Sequence, residues 1–518
     1  MNGQLKEGRS YLEMSIKIKE AFCIEGDHLV ERNILGEILY ELGDFKGSKL
    51  CFQQALGRRS CDFDNIKENV GLHLRALTNL GKTLSKDVRE KQEAERYLKE
   101  ALAVLEKLTL DIPFAGRILN NIALVYFYLG NYTQAKSFIE RAFSIDRIKY
   151  GDNNPFLAQR NSDLAIVLRE LGEYRAAEEY LRKAISVVSR YDENSPYLST
   201  YYGNLGNALN DLRLYDEAKR CLIRAIAIDE DMHTDSHPKL ALHLNNLSSV
   251  FQNLRQYGEA KKCMERALAI DERVYDENHP TLSSDLNNLG MLLQNLGQYE
   301  EAKKLMERSV AIDELVYEED HPTLASHLNN FGTVLQNLGQ YEEAKKLMER
   351  SVAIDELVYE EDHPTLASHL NNFGTVLQNL RQYEEAKKLM ERSVAIAERV
   401  YDEDHPTLAS YLNNLGMVLR NLRQYEKAKK CIERAVAIDE RVYNESHPTL
   451  AIHLNNLGIV LQNLGQYQEA KKLMERSVAI DERVYDENHP TLAIHLNNLS
   501  SVLRDIRQYE EAKKCNIS

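Results

Sequence analysis

The sequence predicts an all-α solenoid of about twelve antiparallel helix hairpins. One observation is that His-Pro recurs every 42 residues, seven times, from His237-Pro238 to His489-Pro490. Pro196, Pro155 and Pro113 continue the series upstream with one step of 41, so all ten prolines occupy a single register. A second observation is that apolar residues between these prolines follow a helical spacing. Short repeats of this kind bury their apolar faces only by stacking on their neighbours.

The first helix of each unit, here called helix A, begins at the proline. Proline has a fixed φ and no N–H group, and both properties suit the first turn of a helix. In the unit from Pro280 to His321, the apolar residues follow at spacings of four and three: Leu282, Leu286, Leu289, Leu293 and Leu296. Such a stripe is typical of one buried helical face. Gly297 is predicted to end the helix, because glycine readily adopts a positive φ.

A second helix, helix B, is predicted to begin at about Tyr299 in the same unit. Its apolar positions are Ala302, Met306, Val310 and Val316, with Ile312 alongside. A short acidic loop containing Asp320-His321 then leads to the next proline. We expect the His of each His-Pro pair to cap or pack against the start of helix A.

The register of Gly290 defines the repeats along the chain. The small residues at this register are Gly36, Gly81, Ala123, Ala165, Gly206, Ser248, Gly290, Gly332, Gly374, Gly416, Gly458 and Ser500. We therefore predict a half-repeat helix in residues 1–28, an array of about twelve repeats in 29–515 with the last one truncated, and a tail in 516–518. Residues Gly8 to Cys23 resemble a lone second helix.

The unit resembles the tetratricopeptide repeat, in the 42-residue form of kinesin light chains and nephrocystin-type proteins. The residues that carry the resemblance are Gly290, Gly297, Tyr299 and Ala302, within the segments HPTL, LNNLG and QYEEAKKLMERSVAI. The resemblance implies a right-handed superhelix whose A helices line a concave groove that binds protein partners. It covers nearly the whole chain.

Two features depart from the pattern of these relatives. Arginine replaces the turn glycine at five positions: Arg213, Arg255, Arg381, Arg423 and Arg507. A left-handed residue other than glycine costs roughly 1–2 kcal/mol, so we expect a different backbone in these turns. Nothing upstream of Gly36 sustains the heptads of a coiled coil, which argues against a motor light chain.

The candidate peptide-binding residues are polar ladders on the side of helix A opposite the leucine stripe. One ladder is Asn245, Asn287, Asn329, Asn371, Asn413, Asn455 and Asn497, and the asparagines that follow each of these form a second. A third includes Gln294, Gln336, Gln378, Arg420 and Gln462. Carboxamides donate and accept hydrogen bonds, so they suit the backbone of an extended peptide. The alternative is that one asparagine of each pair is structural and bonds a neighbouring turn.

The sequence gives no signal for a metal or a cofactor, and we predict neither. His243, His327, His369, His453 and His495 recur in helix A, each at least one repeat from the next, which is too far for one coordination sphere. The seven cysteines include no closely spaced pair of the kind that zinc sites use. No catalytic or nucleotide-binding motif occurs, and we predict that the chain is not an enzyme.

Charge and hydropathy narrow the partners and the location. A formal net charge of −15 argues against nucleic acid, which is bound mainly by cationic side chains. No segment approaches the ~18 apolar residues of a membrane span, and the N-terminus lacks a signal-peptide core. We predict a cytoplasmic protein that neither binds nucleic acid nor inserts into a membrane.

The leading hypothesis is therefore a scaffold or adaptor that holds an extended segment of a protein partner in the groove. The alternative is a regulatory or sensor region of a larger signalling protein whose effector module lies outside this chain. Helix A of repeat 12 carries Leu492, Leu496, Leu499 and Leu503, with little of a following helix B to cover them. We therefore also expect self-association through the C-terminal end.

Overall fold

The structure is a computed structural model. It describes residues 8–16, 29–42, 44–57, 70–85, 90–107, 115–151, 154–192, 195–232, 237–317, 320–359, 361–443, 447–485, 489–508 and 511–512. These residues fall into two compact units, Met1–Glu318 and Glu319–Ser518. In the described ranges all regular structure is helical, which confirms the predicted fold class.

The first unit holds a lone helix and seven hairpins. Its helices are α1 (8–16), α2 (Leu29–Glu41), α3 (Phe45–Leu56), α4 (Val70–Leu84), α5 (Lys91–Lys107), α6 (Ala115–Tyr128), α7 (Tyr132–Tyr150), α8 (Pro155–Glu170), α9 (Tyr174–Ser189), α10 (Pro196–Asp211), α11 (Tyr215–Met232), α12 (Pro238–Asn253), α13 (Tyr257–Val274), α14 (Pro280–Asn295) and α15 (Tyr299–Val316). Leu12 and Ile16 of α1 pack on Leu35, Leu39 and Cys51 of the first hairpin. The rest of the predicted segment Gly8–Cys23 lies outside the described residues.

The second unit holds repeats 8 to 11 and helix A of repeat 12. Its helices are α16 (Pro322–Asn337), α17 (Tyr341–Val358), α18 (Pro364–Asn379), α19 (Tyr383–Val400), α20 (Pro406–Asn421), α21 (Tyr425–Val442), α22 (Pro448–Asn463), α23 (Tyr467–Val484) and α24 (Pro490–Asp505). In both units the two helices of a hairpin contact each other, and helix B also contacts helix A of the next repeat. This is the stacking that the repeat pattern predicted.

The leucine stripe of helix A forms the core. Leu282, Leu286 and Leu293 are at most 1% exposed, and Ala302 and Met306 of helix B are buried as well. A side chain at Gly290 would place its Cβ 2.8 Å from Cγ of Met306. Glycine at this register therefore lets the two helices of a hairpin approach closely.

The His-Pro dipeptide caps helix A, as expected. The backbone N–H of Thr281 donates to Nδ1 of His279 at 3.2 Å, and the proline between them has no N–H to satisfy. The imidazole also stacks on the tyrosine that directly follows the preceding helix B, with ring centroids of Tyr275 and His279 4.0 Å apart. Four later repeats show the same stack: Tyr359–His363, Tyr401–His405, Tyr443–His447 and Tyr485–His489.

In repeats 3 to 12 the turn between the two helices has one conformation, whichever residue occupies it. Gly339 has a φ of 74° and Arg381 a φ of 61°. In both turns the left-handed residue donates its N–H to the carbonyl three residues back, and the next residue donates to the carbonyl five residues back. These two bonds are those of a Schellman motif.

Our prediction of a different backbone at the arginines is therefore wrong. All five residues, Arg213, Arg255, Arg381, Arg423 and Arg507, have a φ between 57° and 62°. A Cβ at Gly339 would meet no atom within 4 Å, and the side chain of Arg381 is exposed, so the cost of arginine is the local backbone strain. The hydrogen bonds and the helix packing of the repeat outweigh that cost.

Repeats 8 and 9 offer a matched test, because residues 309–350 and 351–392 differ only at Gly339 and Arg381. Arg381→Gly is expected to stabilise the array by about 1 kcal/mol, and Gly339→Arg to destabilise it by the same amount. Urea unfolding followed by circular dichroism measures both. Arg381→Ala should have little effect, since alanine keeps the strained φ and removes only an exposed side chain. Equal stability of all four proteins would show that the turn carries no strain.

The C-terminal end is better covered than the sequence indicated. Leu492, Leu499 and Leu503 are at most 6% exposed, and Leu496 is half-buried. Ala512 is buried as well, and its carbonyl accepts a hydrogen bond from Ser500. The leucines that we expected to be exposed are therefore mostly buried, and self-association through this end stays a prediction. Residues 513–518 lie outside the described part of the chain.

Candidate functional site

The outer face of the A helices is the surface opposite the leucine stripe. In repeat 7 it consists of Ser284, Asn288, Met291 and Asn295, at helical spacings of four, three and four, and all four are exposed or half-buried. The equivalent residues of repeat 8 are Ser326, Asn330, Thr333 and Asn337, again exposed or half-buried. Within each unit, consecutive A helices contact one another. Their outer faces therefore form a continuous surface in each unit.

The first predicted asparagine ladder lies mostly beneath this face. Five of its members are only 3–6% exposed: Asn287, Asn329, Asn371, Asn413 and Asn455. Asn245 is half-buried and Asn497 is exposed. The structure thus places most of this ladder between neighbouring A helices, where a partner could reach little of each side chain.

In the second unit these buried amides bond to the second asparagine of the next repeat. Asn372, Asn414, Asn456 and Asn498 each donate Nδ2 to Oδ1 of the first asparagine one repeat earlier, at 3.0–3.2 Å. Within a pair, the first asparagine donates to the second at 3.4–3.5 Å, as in Asn329–Asn330, Asn371–Asn372 and Asn413–Asn414. Six bonds in series therefore join Asn456 to Asn330.

This arrangement, which we call the amide chain, ties successive repeats together. Buried polar groups must be hydrogen-bonded to avoid a large penalty, and the amides satisfy one another across the A-helix interface. Under the structural alternative, one asparagine of each pair would bond a neighbouring turn. In the amide chain the bonds instead run from helix to helix, and both asparagines take part.

The third ladder is accessible. Gln294, Gln336, Gln378, Arg420 and Gln462 are all half-buried. Gln336 accepts a weak bond from Thr375 at 3.4 Å, and Gln462 donates to Ser501 and Asp505. Whether these residues and the asparagines bind a peptide stays a prediction.

The chemistry of the outer face changes along each unit. Near the N-terminus a cavity of about 280 Å³ is lined by Glu37, Gly71, Arg75, Asn79, Arg117, Ile118 and Asn121. There Glu37 accepts two bonds from Arg75, at 2.6 and 2.5 Å, and one from Asn79 at 2.7 Å. In the second unit the positions of Ser326 and Ser368 become Ile452 and Ile494, which are 39% and 57% exposed. The face is therefore charged at one end of the first unit and aliphatic at one end of the second.

The recurring histidines of helix A are buried and paired with a carboxylate. Nδ1 of His243 lies 2.7 Å from Asp229, and both side chains are at most 4% exposed. Burial alone would raise the pKa of Asp229, but hydrogen bonds from His243 and Ser199 lower it below its usual value. The same pair recurs as His369–Asp355, His453–Asp439 and His495–Asp481, at 2.5–2.6 Å.

Each pair joins helix B of one repeat to helix A of the next, and we call this place the joint. The carboxylate and its partner are fourteen residues apart in sequence. Our prediction noted the histidines but missed the aspartates. An aspartate fourteen residues upstream of each of them was the signal in the sequence that could have identified the pairs.

Two joints bring a serine close to the pair, but their geometry is not that of a nucleophilic triad. Ser351 Oγ lies 3.2 Å from Nδ1 of His369, and Asp355 lies 2.5 Å from the same nitrogen. Ser477, His495 and Asp481 repeat this arrangement. In a triad the serine and the carboxylate use different ring nitrogens, and here all three groups are buried.

The joint between α13 and α14 holds two carboxyl groups. Asp285 stands where other repeats have histidine, and it shares a hydrogen bond with Asp271. Burial, together with the bond to Asp285 and its charge, raises the pKa of Asp271 to about 8. Burial also raises the pKa of Asp285, whose Oδ1 accepts a bond from Asn245 at 2.8 Å. The pair therefore holds a proton at neutral pH.

The described cysteines are free thiols, and burial raises the pKa of all four: Cys51, Cys221, Cys263 and Cys431. A raised pKa lowers the thiolate fraction and hence the reactivity. Over the ranges that the structure describes, no cluster of three or more His, Cys, Asp or Glu side chains is placed to hold a metal ion. Within the same ranges no helix is both long and apolar enough to span a bilayer.

Comparison with protein families identifies the repeats. The sequence profile of the tetratricopeptide repeat matches nine overlapping segments from 114–190 to 448–516. A second profile of the same description matches residues 73–109. The chain belongs to the tetratricopeptide repeat family. Its repeats support a general role as a protein-interaction scaffold. No curated protein matches the sequence.

Several solved structures are similar to parts of this tetratricopeptide repeat chain. Two contain nearly identical TPR-like repeats of a Podosopora anserina chain assigned to the kinesin light chains, one of them with a single substitution. They are 28% and 27% identical, cover 40% of this chain and 99% and 97% of their own, and have a TM-score of 0.36. BtubC (BKLC) from P. vanneervenii is 18% identical, with 43% and 87% covered and a TM-score of 0.35.

Proposed function

We propose that the chain is a scaffold that binds an extended peptide segment of a protein partner along the outer face of the A helices. The observation that carries this proposal is a row of uncharged polar side chains on consecutive helices. Repeats 8 and 9 present Ser, Asn, Thr, Gln and Asn at identical positions, all exposed or half-buried. Such groups can bond a peptide backbone without selecting its side chains.

The burial of the first asparagine ladder refines which residues would bind. Contact with the peptide falls to the third ladder, to the hydroxyl groups of Thr333 and Thr375, and to the exposed Asn337 and Asn379. The amide chain beneath them would hold the A helices at a fixed spacing. The cavity beside Arg75 and Arg117 would be a charged subsite on the outer face of the first unit.

The test is a selection of peptides from a displayed library against the full chain. Changing Gln336, Thr333, Gln378 and Thr375 together to alanine is expected to weaken the selected peptides about tenfold or more, since each lost bond contributes roughly 0.5–1.5 kcal/mol. Helicity measured by circular dichroism should stay unchanged. A matched control changes Glu342, Glu343, Glu384 and Glu385 on the B helices to alanine and should leave affinity unchanged. If both sets weaken binding equally, the peptide does not lie on the outer face.

A further inference from the structure

The side chains at the joints differ from one joint to another. Where the residue on helix B changes, the residue that faces it on helix A changes in a matching way. At the described joints within each unit, the residue on helix B and the residue fourteen positions later on helix A are Val104–Ile118, Asp146–Arg160, Val187–Tyr201, Asp229–His243, Asp271–Asp285, Asp355–His369, Ala397–Tyr411, Asp439–His453 and Asp481–His495. Every aspartate on helix B faces a residue that can bond it. Every valine or alanine there faces an isoleucine or a tyrosine.

We infer that the joint pair is a matching element that determines which repeat can follow which in the array. A carboxylate buried without a partner is strongly destabilising, whereas removing both members of a pair together can be nearly neutral. A helix B that carries aspartate would therefore pack unfavourably against a helix A that carries tyrosine. A helix B with alanine would leave a histidine on the next helix A without its carboxylate.

Burial and hydrogen bonding support this inference at the joints where helix A carries histidine, tyrosine or arginine. Asp355, Asp439 and Asp481 are 0% exposed, and their histidines are at most 6% exposed. Ala397 is 0% and Tyr411 6% exposed. At the remaining aromatic joint, Val187 and Tyr201 belong to one hydrophobic cluster. Arg160, at the only arginine joint in the described ranges, donates Nε to Asp146 at 3.0 Å.

Repeats 8 and 9 isolate the effect of the joint. Helices α16 and α18 are identical in sequence, and α17 and α19 differ only at Asp355/Ala397 and Leu357/Arg399. Leu357 is 75% exposed, and Arg399 is exposed as well. The joint residue is thus the single buried difference between these two B helices, and the A helices that follow them carry His369 and Tyr411 accordingly.

A double-mutant cycle in the full chain tests the inference. Ala397→Asp places a buried carboxyl group against Tyr411 and is expected to lower hydrogen-exchange protection of α19 and α20 about 100-fold. Tyr411→His alone should also lower protection. Ala397→Asp with Tyr411→His recreates the pair found at three other joints of this unit and is expected to restore protection to within about fivefold.

The reverse exchange covers the case in which Ala397→Asp does not fold. His453→Tyr leaves Asp439 without its partner and should lower protection of α21 and α22. Adding Asp439→Ala converts the joint to the Ala–Tyr form and should recover most of the loss. Additive losses in both cycles would overturn the inference, because a matching element requires each double variant to be more stable than the sum of its singles predicts.

Discussion

Deletion of residues 351–392 is expected to leave a folded array, whereas deletion of residues 364–405 is expected to destabilise it. Each deletion removes 42 residues and preserves the repeat phase. The first removes Asp355 and His369 together and keeps Ala397 before Tyr411. The second joins His363 to Pro406, so that Asp355 precedes Tyr411 at the new joint. A buried carboxyl group without its partner should cost about 3–5 kcal/mol.

The two products are closely matched, which makes the comparison sharp. They differ only where residues 355, 357 and 360 replace 397, 399 and 402. The first of these positions is buried in both repeats, and the second is exposed in both. Urea unfolding of both proteins measures the difference. Adding Tyr411→His to the second product should recover the stability, because it restores the Asp–His pair. Equal stability of the two deletions would show that the joint pair does not influence which repeats can be neighbours.

The joint between α13 and α14 is expected to lose stability as the pH rises. The pKa of Asp271 is about 8 in the folded chain, against about 3.9 for an unperturbed aspartate. Since the folded state binds the extra proton, the stabilisation is complete below pH 4 and is lost as the pH rises through 8. The contribution of this joint to the free energy of unfolding falls by on the order of 5 kcal/mol over this pH range.

Asp285→His is expected to abolish this loss, because it gives Asp271 the partner that Asp229 has in the preceding repeat. The measurement is the free energy of unfolding at pH 5, 7 and 9, taken as the difference between the two proteins so that other groups cancel. Asp285→Asn removes the like charge without adding a base and should flatten the profile in part. A profile for Asp285→His as steep as that of the unaltered chain would exclude the carboxyl pair as its source.

The sequence predicted the helices well because their signals are local. Proline at the first position, the spacing of the leucines, and glycine at the turn each constrain only a few neighbouring residues. The five arginine turns were mispredicted for the opposite reason: the strain of one residue was weighed without the two capping bonds and the helix packing that oppose it. The backbone of Arg381 follows that of Gly339 because the surrounding repeat is the same.

The candidate site was harder to predict because it depends on contacts between repeats. A helical projection placed Asn329 and Asn371 opposite the leucines, but it could not show how closely the next helix A approaches. The close approach of the next helix A buries both asparagines, and their amides form hydrogen bonds within the amide chain. The role of the histidines likewise depends on a second residue, because each described pair joins a histidine to an aspartate on another helix.

The near-identity of repeats 8 and 9 has a consequence for folding. While the chain is unfolded, α16 and α18 are equivalent partners for α17 or α19, and most contacts of a hairpin shifted by one repeat would be as favourable as the native ones. Such degenerate registers slow folding and favour exchange of hairpins between chains. The native register differs from the shifted ones at the joints, because only the native register pairs Asp355 with His369 and Ala397 with Tyr411. The few buried residues that differ from joint to joint thus provide the energy gap that two nearly identical repeats cannot provide for themselves.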